Sequence, residues 1–416
     1  MGLNPCMNSP LPDRSPRAAA YNQFVPPTVF RKGLDLKREV LPLLTESYHS
    51  DLVESIKADG FQYRAGRLTV HLAREFGFCY GVDRAVDYAY QARKRFPDQR
   101  VYLTGEIIHN PHVNDQLRSQ GVGFLTDPGE SVAALTAADV VILPAFGVTI
   151  EMLLTLEQQG CTLVDTTCGS VLNVWKNVRR YADEGFTAVI HGKHWHEETQ
   201  ATASQAMHAG SGRYLVVYDQ TEAAIVCDYI RTGLDRAGFL SRFGASASPG
   251  FDPDRDLQRI GCANQTTMLS SESLAIGEMF RQAIIARYGA AEASTRFLAF
   301  DTICSATQDR QDAVAELLEQ HPIDLAVVIG GYNSSNTCNL ARMCADRVAT
   351  YHIAGPDGLL ASDQVRHKPV GQPGEIITPD WLPATGPVRI GLTSGASTPD
   401  NLVGEAIRRL TTLTAC

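Results

Sequence analysis

Short runs of β-branched and apolar residues alternate with amphipathic helical patterns along most of the chain, from about residue 66 onward. Each run has the length of one strand, and each intervening pattern has the length of one helix. Because strands that alternate with helices build parallel sheets with helices on their faces, the alternation predicts an α/β fold. The predicted strands lie in RLTVHLA, RVYLTGE, ADVVILP, CTLVDTT, TAVIHG, RYLVVYD, DLAVVIG and VRIGLTS.

Length and composition narrow the class of protein. A chain of 416 residues is too long for one small core, so two to four domains are expected. A net charge of −9 argues against a nucleic-acid surface. The longest apolar run, 138–148, is too short for a membrane span and is broken by Pro144. The first residues lack the apolar core of a signal peptide, and the ten cysteines do not form a disulfide framework. We therefore expect a reducing compartment, the cytoplasm or, in a eukaryote, the plastid stroma.

The N-terminal part differs in pattern from the rest. Residues 1–35 are rich in Pro, Asn and Ser, which predicts a loose arm, and residues 45–60 predict one capped helix that ends at Gly60. The arm is expected to shield a site, join subunits or dock a partner, or else to be a disordered tail followed by one helix.

A strand followed by a cysteine and then a helix occurs three times, around Cys79, Cys168 and Cys304. The intervals of 89 and 136 residues allow each copy its own α/β unit. In parallel sheets ligands gather at the carboxyl ends of the strands, where the helices begin. A helix N-terminus favours thiolate over thiol, and thiolate is the form that binds metal. Three thiolates from three units would suit an iron–sulfur cluster in which one iron lacks a protein ligand and is open to substrate.

The alternative for any one of these cysteines is a small buried apolar residue. Core filling is the expectation for Cys161, Cys227 and Cys262, which lie in apolar or strand-like surroundings. Cys338 and Cys344 fall in one predicted helix, six residues apart, and are the main rival pair of ligands although they share a face poorly.

Several loops have the composition of an anion site. The segments GGYNSSN and TSGASTPD each connect a strand to a helix, and Pro399 in the second is suited to a first helical turn. Backbone N–H groups at helix starts, together with Ser and Asn side chains, make a neutral cradle for phosphate, although each loop alone could be simple helix capping. The polar loop in IGCANQTTMLSSE would add a third contribution.

The segment HGKHWHEE follows a predicted strand and holds several groups that bind phosphate or transfer protons. A glutamate there could protonate a leaving hydroxyl, whereas the alternative is a solvated polar loop. Its spacing matches no zinc signature. A second predicted strand is followed by GEIIHNPHV, in which at least one of His109 and His112 is expected to be structural. The groups of the first segment are His191, Lys193, His194, His196, Glu197 and Glu198.

Taken together, these segments resemble the 4-hydroxy-3-methylbut-2-enyl diphosphate reductase (IspH/LytB) family over roughly residues 66–410. The stretches that carry the resemblance, in the family's order, are GFCYGVDRAV, EIIHNP, VDTTC, HGKHWHEET, NQTTM, TICSATQDRQDA, NSSNT and TSGASTPD. The N-terminal extension and ILPAFG are similar to the cyanobacterial and plastid branch.

The resemblance implies three parallel-sheet α/β domains in a trefoil around a central 4Fe-4S cluster, plus an N-terminal extension. Cys79, Cys168 and Cys304 match the three cysteine ligands, and the fourth iron is left open. Glu198 matches the proton-delivering glutamate and Thr266 the threonine that supports it. The residues that match contacts to the diphosphate and hydroxyl groups are His109, His196, Ser334, Ser335, Asn336 and Ser397.

The domain boundaries expected from the pattern are an N-terminal extension at 1–65, α/β domains at 66–166, 167–302 and 303–390, and a C-terminal segment at 391–416 that returns toward the active site. The implied reaction is reductive dehydroxylation of a diphosphate substrate to isopentenyl and dimethylallyl diphosphate. The implied electron donor is ferredoxin or flavodoxin, with no nucleic-acid or membrane partner, and the chain is expected to be a monomer or homodimer.

Two positions depart from the family pattern. Phe146 stands where many bacterial members carry a histidine in the diphosphate pocket, and Gly169 stands where proline is expected after the second cysteine. Because glycine loosens a helix start beside a cluster ligand, we expect a more oxygen-labile cluster. Three other functions remain open: a cluster-dependent hydro-lyase that needs no reductant, a non-catalytic iron–sulfur sensor, and a cluster-free sugar-phosphate enzyme.

Overall fold

The computed structural model describes residues 28–415 except 209, 211 and 301. Most of the predicted N-terminal arm, residues 1–27, lies outside the described residues. All eight predicted strands are present. The strands are β1 (Val29–Phe30), β2 (Gln62–Ala65), β3 (Leu68–Leu72), β4 (Val101–Leu103), β5 (Val122–Phe124), β6 (Val140–Leu143), β7 (Thr162–Asp165), β8 (Thr187–His191), β9 (Arg213–Val217), β10 (Ile260–Asn264), β11 (Phe297–Ala299), β12 (Leu325–Ile329), β13 (Ala349–Ile353), β14 (Leu359–Ala361), β15 (Gln364–His367), β16 (Ile376–Pro379) and β17 (Val388–Ser394).

Helices connect most of these strands. Short 3-10 turns are found at Val132–Ala134, Ala290–Glu292 and Pro356–Gly358. The α-helices are α1 (Lys37–Tyr48), α2 (Asp51–Ala58), α3 (Tyr80–Arg95), α4 (Pro111–Ser119), α5 (Ile150–Gln159), α6 (Gly169–Asp183), α7 (Glu197–Ala206), α8 (Gln220–Thr232), α9 (Arg236–Phe243), α10 (Pro253–Asp256), α11 (Ser270–Tyr288), α12 (Ala293–Arg296), α13 (Ser305–Gln320), α14 (Ser335–Ala345) and α15 (Asp400–Thr414).

Three of the sheets are parallel or mainly parallel. The first sheet has the order β1-β7-β6-β4-β5 and the second has the order β11-β10-β8-β9, and all their pairs are parallel. The third sheet has the order β13-β12-β17-β3-β2, and only its edge pair β2–β3 is antiparallel. A small antiparallel sheet, β14-β15-β16, completes the topology. The predicted α/β class with three parallel-sheet domains is confirmed.

Burial explains why several of the strands are continuous runs of apolar residues in the sequence. Every residue of β6, β8, β10 and β12 is buried, as expected for strands covered on both faces by helices. The shorter strands β5 and β11 and the strand β10, which contains glycine and asparagine, were absent from the predicted set. Their sequences carry too few β-branched residues to stand out from loops.

Three of the places where the chain passes from one sheet to another are the repeated strand–cysteine–helix units. Strand β3 belongs to the third sheet, but the buried face of α3 packs with β4 and β6 of the first sheet. Strand β7 belongs to the first sheet, and α6 packs with β8 of the second. Strand β11 belongs to the second sheet, and α13 packs with β12 of the third. Each unit therefore bridges two sheets, and the three helices pack on three different sheets.

The sheet assignment also differs from a division by sequence. Strand β3, inside the predicted first domain at 66–166, pairs with β17 and so lies in the same sheet as β12 and β13. The predicted single helix at 45–60 is two helices, because the chain is extended at His49 and Ser50 and the Ser50 hydroxyl caps α2. Helix α2 ends at Ala58, and Gly60 follows with a positive φ of 77°.

None of the helices in the described part of the chain combines the length and the apolar character needed to cross a bilayer.

Candidate active site

The three repeated cysteines occupy equivalent positions in the fold. Cys79, Cys168 and Cys304 are the N-cap residues of α3, α6 and α13. Each cysteine N–H donates to a carbonyl in the loop that follows the neighbouring strand, so each is fixed beside a strand end. The pairs are Cys79 with Ala396 (3.1 Å), Cys168 with Ala145 (2.8 Å) and Cys304 with Thr266 (3.3 Å).

One cavity between the three sheets brings all of the predicted site residues together. It contains about 710 Å³ of space not filled by protein atoms. The loops that hold the three cysteines each contribute to its wall. The predicted site residues that line it are Cys79, His109, Cys168, His196, Glu198, Thr266, Cys304, Ser334, Ser335, Asn336 and Ser397.

The thiols are closely accommodated in this cavity. All three cysteines are free. A Cβ placed on Gly81 would lie 2.5 Å from Cys168 Sγ and 3.9 Å from Cys79 Sγ, so the absence of a side chain at Gly81 makes room for the sulfurs. The Ser170 hydroxyl lies 3.3 Å from Cys304 Sγ and donates to it.

The chemistry of the three side chains fits a cluster. Three free cysteines, each at the start of a helix, line this one cavity. Iron–sulfur clusters are held by cysteine thiolates and normally take four, so three would leave one iron without a protein thiolate.

Burial and charge act in opposite directions on Cys79. Burial raises the pKa of its thiol, while the N–H of Val82 and the Arg310 guanidinium lower it. The sequence predicted that the helix N-terminus lowers the pKa of the Cys79 thiol. That prediction is wrong for the net shift of the pKa, because the effect of burial is larger than that of the helix N-terminus. Arg310 is buried and donates to the carbonyls of Gly77 (2.8 Å) and Ala306 (2.7 Å). Its fixed charge compensates anionic sulfur, and sequence reasoning missed it although it lies within TICSATQDRQDA.

Glu198 has the surroundings of a buried acid. Burial raises its pKa to about 7, and hydrogen bonds from the backbone N–H and hydroxyl of Thr266 oppose that rise. The N–H of Thr266 lies 2.5 Å from Glu198 Oε1. Near neutral pH this carboxyl is therefore divided between its protonated and ionised forms, which is the state required of a proton donor.

His109 and His196 belong to one hydrogen-bonded chain. His196 Nδ1 accepts from the Glu198 N–H at 3.1 Å, which leaves the proton on His196 Nε2. That atom lies 3.0 Å from His109 Nε2, and His109 Nδ1 lies 2.8 Å from Glu106 Oε2. The His109 ring also stacks on Phe146, with centroids 4.9 Å apart. Glu106, which sequence reasoning missed, precedes His109 by three residues in EIIHNP.

His109, His196 and Glu197 offer ligand atoms that all lie within 4.8 Å of one another. A metal on His196 Nε2 would require the proton to move to Nδ1, which instead accepts a hydrogen bond from Glu198 N–H. The group is therefore organised for hydrogen bonding. Burial, together with the nearby His109 and Lys193, lowers the pKa of His196 to about 3.

The loops before α14 and α15 form a neutral polar wall. Ser334 caps α14, Ser335 Oγ accepts from Gln265 Nε2 at 3.1 Å, and Ser397 Oγ donates to the His109 carbonyl at 3.2 Å. Asn336 Oδ1 accepts from the Ala396 N–H at 2.9 Å, but its buried Nδ2 has no partner. An unused buried donor in a ligand cavity indicates a missing acceptor. The described lining contains no lysine or arginine, so neutral donors would hold an anion there.

Several candidate residues lie elsewhere. His191 is buried with its Nδ1 2.7 Å from Ser273 Oγ, and His112 faces the Tyr48 ring at 6.3 Å; both are structural. Pro399 is the N-cap residue of α15, whereas the first helical turn was expected. Neither Lys193 nor His194 lines the cavity.

The remaining described cysteines are separate from this site. Cys161, Cys227 and Cys262 are buried in apolar clusters, so their predicted role as core residues is confirmed. Cys344 is also a core residue, and Cys338 lines a different cavity, so the rival ligand pair is not brought together.

Comparison with known proteins agrees with this geometry. A family model described as "LytB protein" matches residues 70–411. A 4-hydroxy-3-methylbut-2-enyl diphosphate reductase of Synechococcus sp. (strain RCC307) is 49% identical over 383 residues, covering 91% of this chain and 92% of that protein. A reductase of the same name from Gloeobacter violaceus is 48% identical over 389 residues, covering 92% of this chain and 91% of that protein. The structure of E-1-hydroxy-2-methyl-but-2-enyl-4-diphosphate reductase from Plasmodium falciparum shares the fold, with a TM-score of 0.59 and 21% identity over 82% of this chain and 87% of that one.

Proposed function

The chain belongs to the LytB protein family, and from this premise we propose that it is a 4-hydroxy-3-methylbut-2-enyl diphosphate reductase. The reaction breaks the C–O bond of the allylic hydroxyl. Two electrons and two protons are consumed, one water leaves, and the product is isopentenyl or dimethylallyl diphosphate. The observation that carries the proposal is the convergence of three free thiols, a buried acid and a neutral polar wall on one cavity.

Cys79, Cys168 and Cys304 are the residues that would hold a 4Fe-4S cluster. When bound, such a cluster supplies electrons one at a time and an iron that lacks a protein ligand, which acts as a Lewis acid. The buried Arg310 lowers the cost of placing anionic sulfur in the protein interior. The electrons come from a small redox protein, ferredoxin or flavodoxin.

The diphosphate binds against the polar wall. Ser334, Ser335 and Asn336 lie at the start of α14, where N–H groups and the helix dipole favour an anion. The unused Nδ2 of Asn336 donates to a phosphate oxygen. The linked rings of His109 and His196 also line the cavity, and Ser397 supports the position of His109 through its carbonyl.

Glu198 delivers the proton that converts the leaving hydroxyl to water. Its pKa of about 7 keeps a large fraction protonated at neutral pH, and burial excludes the bulk water that would otherwise compete. Thr266 fixes the carboxyl through its N–H and hydroxyl, which sets the direction in which Glu198 presents its proton.

The test uses anaerobically purified protein, a chemical reductant and 4-hydroxy-3-methylbut-2-enyl diphosphate. Wild type should form both products only when reductant is present, which separates a reductase from a hydro-lyase. Glu198→Gln should lose at least 100-fold in kcat, since general acid catalysis contributes about 10²–10⁴. Iron and sulfide per chain should be unchanged in that variant.

The matched control is Glu278→Gln, which changes an exposed carboxylate on α11 that pairs with Arg281 and does not line the cavity. It should retain most of the turnover. Full activity of Glu198→Gln would remove Glu198 from the proton-donor role. A colourless wild type without iron, or turnover without reductant, would refute the proposed function.

A further inference from the structure

A second cavity lies between the second and third sheets, on the far side of the HGKHWHEE loop from the active site. Its wall includes Lys193 from that loop, Arg342 from α14 and Lys368 from the loop after β15. It contains about 1260 Å³ of space not filled by protein atoms, part of it open to solvent. Its walls are mixed polar and apolar and include the ring of Tyr332. A concave site with a few convergent charges is the usual form of a small-molecule site.

The positive charges of this cavity are only partly compensated. Arg342 pairs with Glu272 at 3.0 Å, and Asp219 is engaged as the cap of α8, accepting from the Glu222 N–H at 2.9 Å. Lys368 Nζ lies 3.5 Å from the Tyr332 carbonyl and 5.8 Å from the centroid of the Tyr332 ring, and neither contact neutralises its charge.

Lys193 is the least compensated cation of the set. Among the described residues nothing is hydrogen-bonded or ion-paired to Lys193 Nζ. Burial lowers the pKa of Lys193, and the charge of Lys368 lowers it further. Lys193 and Lys368 thus line one partly desolvated cavity, where their charges oppose each other, in a chain whose net charge is −9. Partly buried charges without partners are unfavourable, and an anion between them would relieve both the desolvation and the repulsion.

The second cavity shares a wall with the active site. The Lys193 N–H donates to Gln265 Oε1 at 3.1 Å, and Gln265 Nε2 donates to Ser335 Oγ, which lines the active-site cavity. The charge of Lys193 also lowers the pKa of His196. An anion bound to Lys193 would therefore change the electrostatic potential in the active site. It would also act on Ser335 through the position of Gln265.

We propose that this second cavity is a binding site for a diphosphate group, held between Lys193 and Lys368 and distinct from the substrate site. Two lysines that face one space suit a multiply charged anion better than a single carboxylate, because each ammonium can bind a different phosphate oxygen. The proposal does not depend on the proposed reductase activity, since it uses none of the residues that line the active-site cavity.

The test is equilibrium dialysis of labelled inorganic pyrophosphate with the full-length holoenzyme under anaerobic conditions. Wild type should bind two equivalents per chain. Lys368→Gln should lose one of them, with at least a tenfold weaker affinity, and Lys368→Arg should restore it. Lys94→Gln is the matched control, because Lys94 pairs with Glu39 on the surface away from both cavities and should retain two equivalents.

A further variant, Asn336→Ala, identifies the other equivalent, because Asn336 lines only the active-site cavity. If the substrate site does not take diphosphate, wild type binds one equivalent that Asn336→Ala leaves intact and Lys368→Gln removes. Displacement of the Lys368-dependent label by isopentenyl diphosphate supports an organic ester as ligand, and its absence supports the inorganic ion. A single equivalent lost only in Asn336→Ala, or two equivalents retained in a folded Lys368→Gln variant, would overturn the second site.

Discussion

Adding one methyl group at Gly81 should selectively remove the metal centre. The new Cβ would lie 2.5 Å from Cys168 Sγ and 3.3 Å from Cys168 Cβ, whereas ordinary contacts between heavy atoms are about 3.5–4.0 Å. The sulfur must therefore move by about 1 Å. Metal–ligand distances tolerate only about 0.2 Å, so Cys168 could not keep its place in a cluster bound by all three thiols.

The expected loss of cluster affinity follows from the cost of overpacking a rigid protein interior. Such changes cost about 1–3 kcal/mol, which corresponds to about a 5- to 150-fold loss of cluster affinity if the strain is felt when the cluster binds. Alanine also favours the helix by up to about 1 kcal/mol over glycine, and Gly81 lies in the first turn of α3. The folded protein should therefore lose little stability while its cluster affinity falls.

The assay is iron and sulfide per chain after anaerobic reconstitution, with thermal unfolding of the same samples. The control is Gly169→Ala, which places the same methyl group beside the same cysteine, at the start of α6, with no atom within 4 Å of the new Cβ. Gly81→Ala should hold a small fraction of the wild-type iron and Gly169→Ala the full amount. Equal iron in the two variants would refute the role of Gly81 in making room for the sulfur.

Four further outcomes follow from the same site. Burial raises the pKa of Glu198 from 4.5 to about 7, so between those pH values only the unfolded state releases this proton. The free energy of unfolding should therefore fall by up to about 3 kcal/mol as the pH rises through that window. Chemical denaturation of Glu198→Gln should not show this fall. The kcat/KM should likewise decline as the pH rises above about 7, and a flat profile would contradict the acid role. Gly169→Pro should raise the free energy of unfolding by about 0.4–1 kcal/mol and so raise the unfolding temperature, because Cys168 already has the extended backbone (φ −65°, ψ 144°) that precedes proline. The same variant should lengthen the lifetime of the cluster in air. An unchanged lifetime counts against the labile-cluster hypothesis. Phe146→His should lower KM by adding a donor beside His109 and lower the unfolding temperature by burying a polar ring, and unchanged KM would show that the ring does not face the diphosphate.

Local sequence patterns predicted the parts of this protein that depend on local physics. The eight strands were found because strands covered on both faces are continuous apolar runs, and the three cysteines were found because each directly precedes a helix. Their convergence was inferred from the repeated context and from the family resemblance, and in the structure all three line one cavity.

Those local patterns could not predict which distant strands pair with each other. Nothing in the residues of β3 indicates that it pairs with β17, more than 300 residues away, and this pairing is what makes the Cys79 unit a crossing from the third sheet to the first. The raised pKa of Cys79 and the compensating charge of Arg310 were missed for the same reason. Both depend on burial that α3, α6 and α13 create jointly, whereas a helix start is a local feature.

The crossings explain why the proposed metal site and the proposed substrate site are in one cavity. Each cysteine ends a connection that leaves one sheet and begins a helix that packs on the next, so the three thiols meet only when all three sheets have docked. The substrate groups share this dependence: His109 follows β4 of the first sheet, Glu198 follows β8 of the second, and Ser334 follows β12 of the third. A group bound to all three thiols would therefore hold the sheets in the arrangement that also builds the acid and the anion wall. In this fold the docking of the three sheets would therefore assemble the proposed metal centre and the proposed catalytic cavity together.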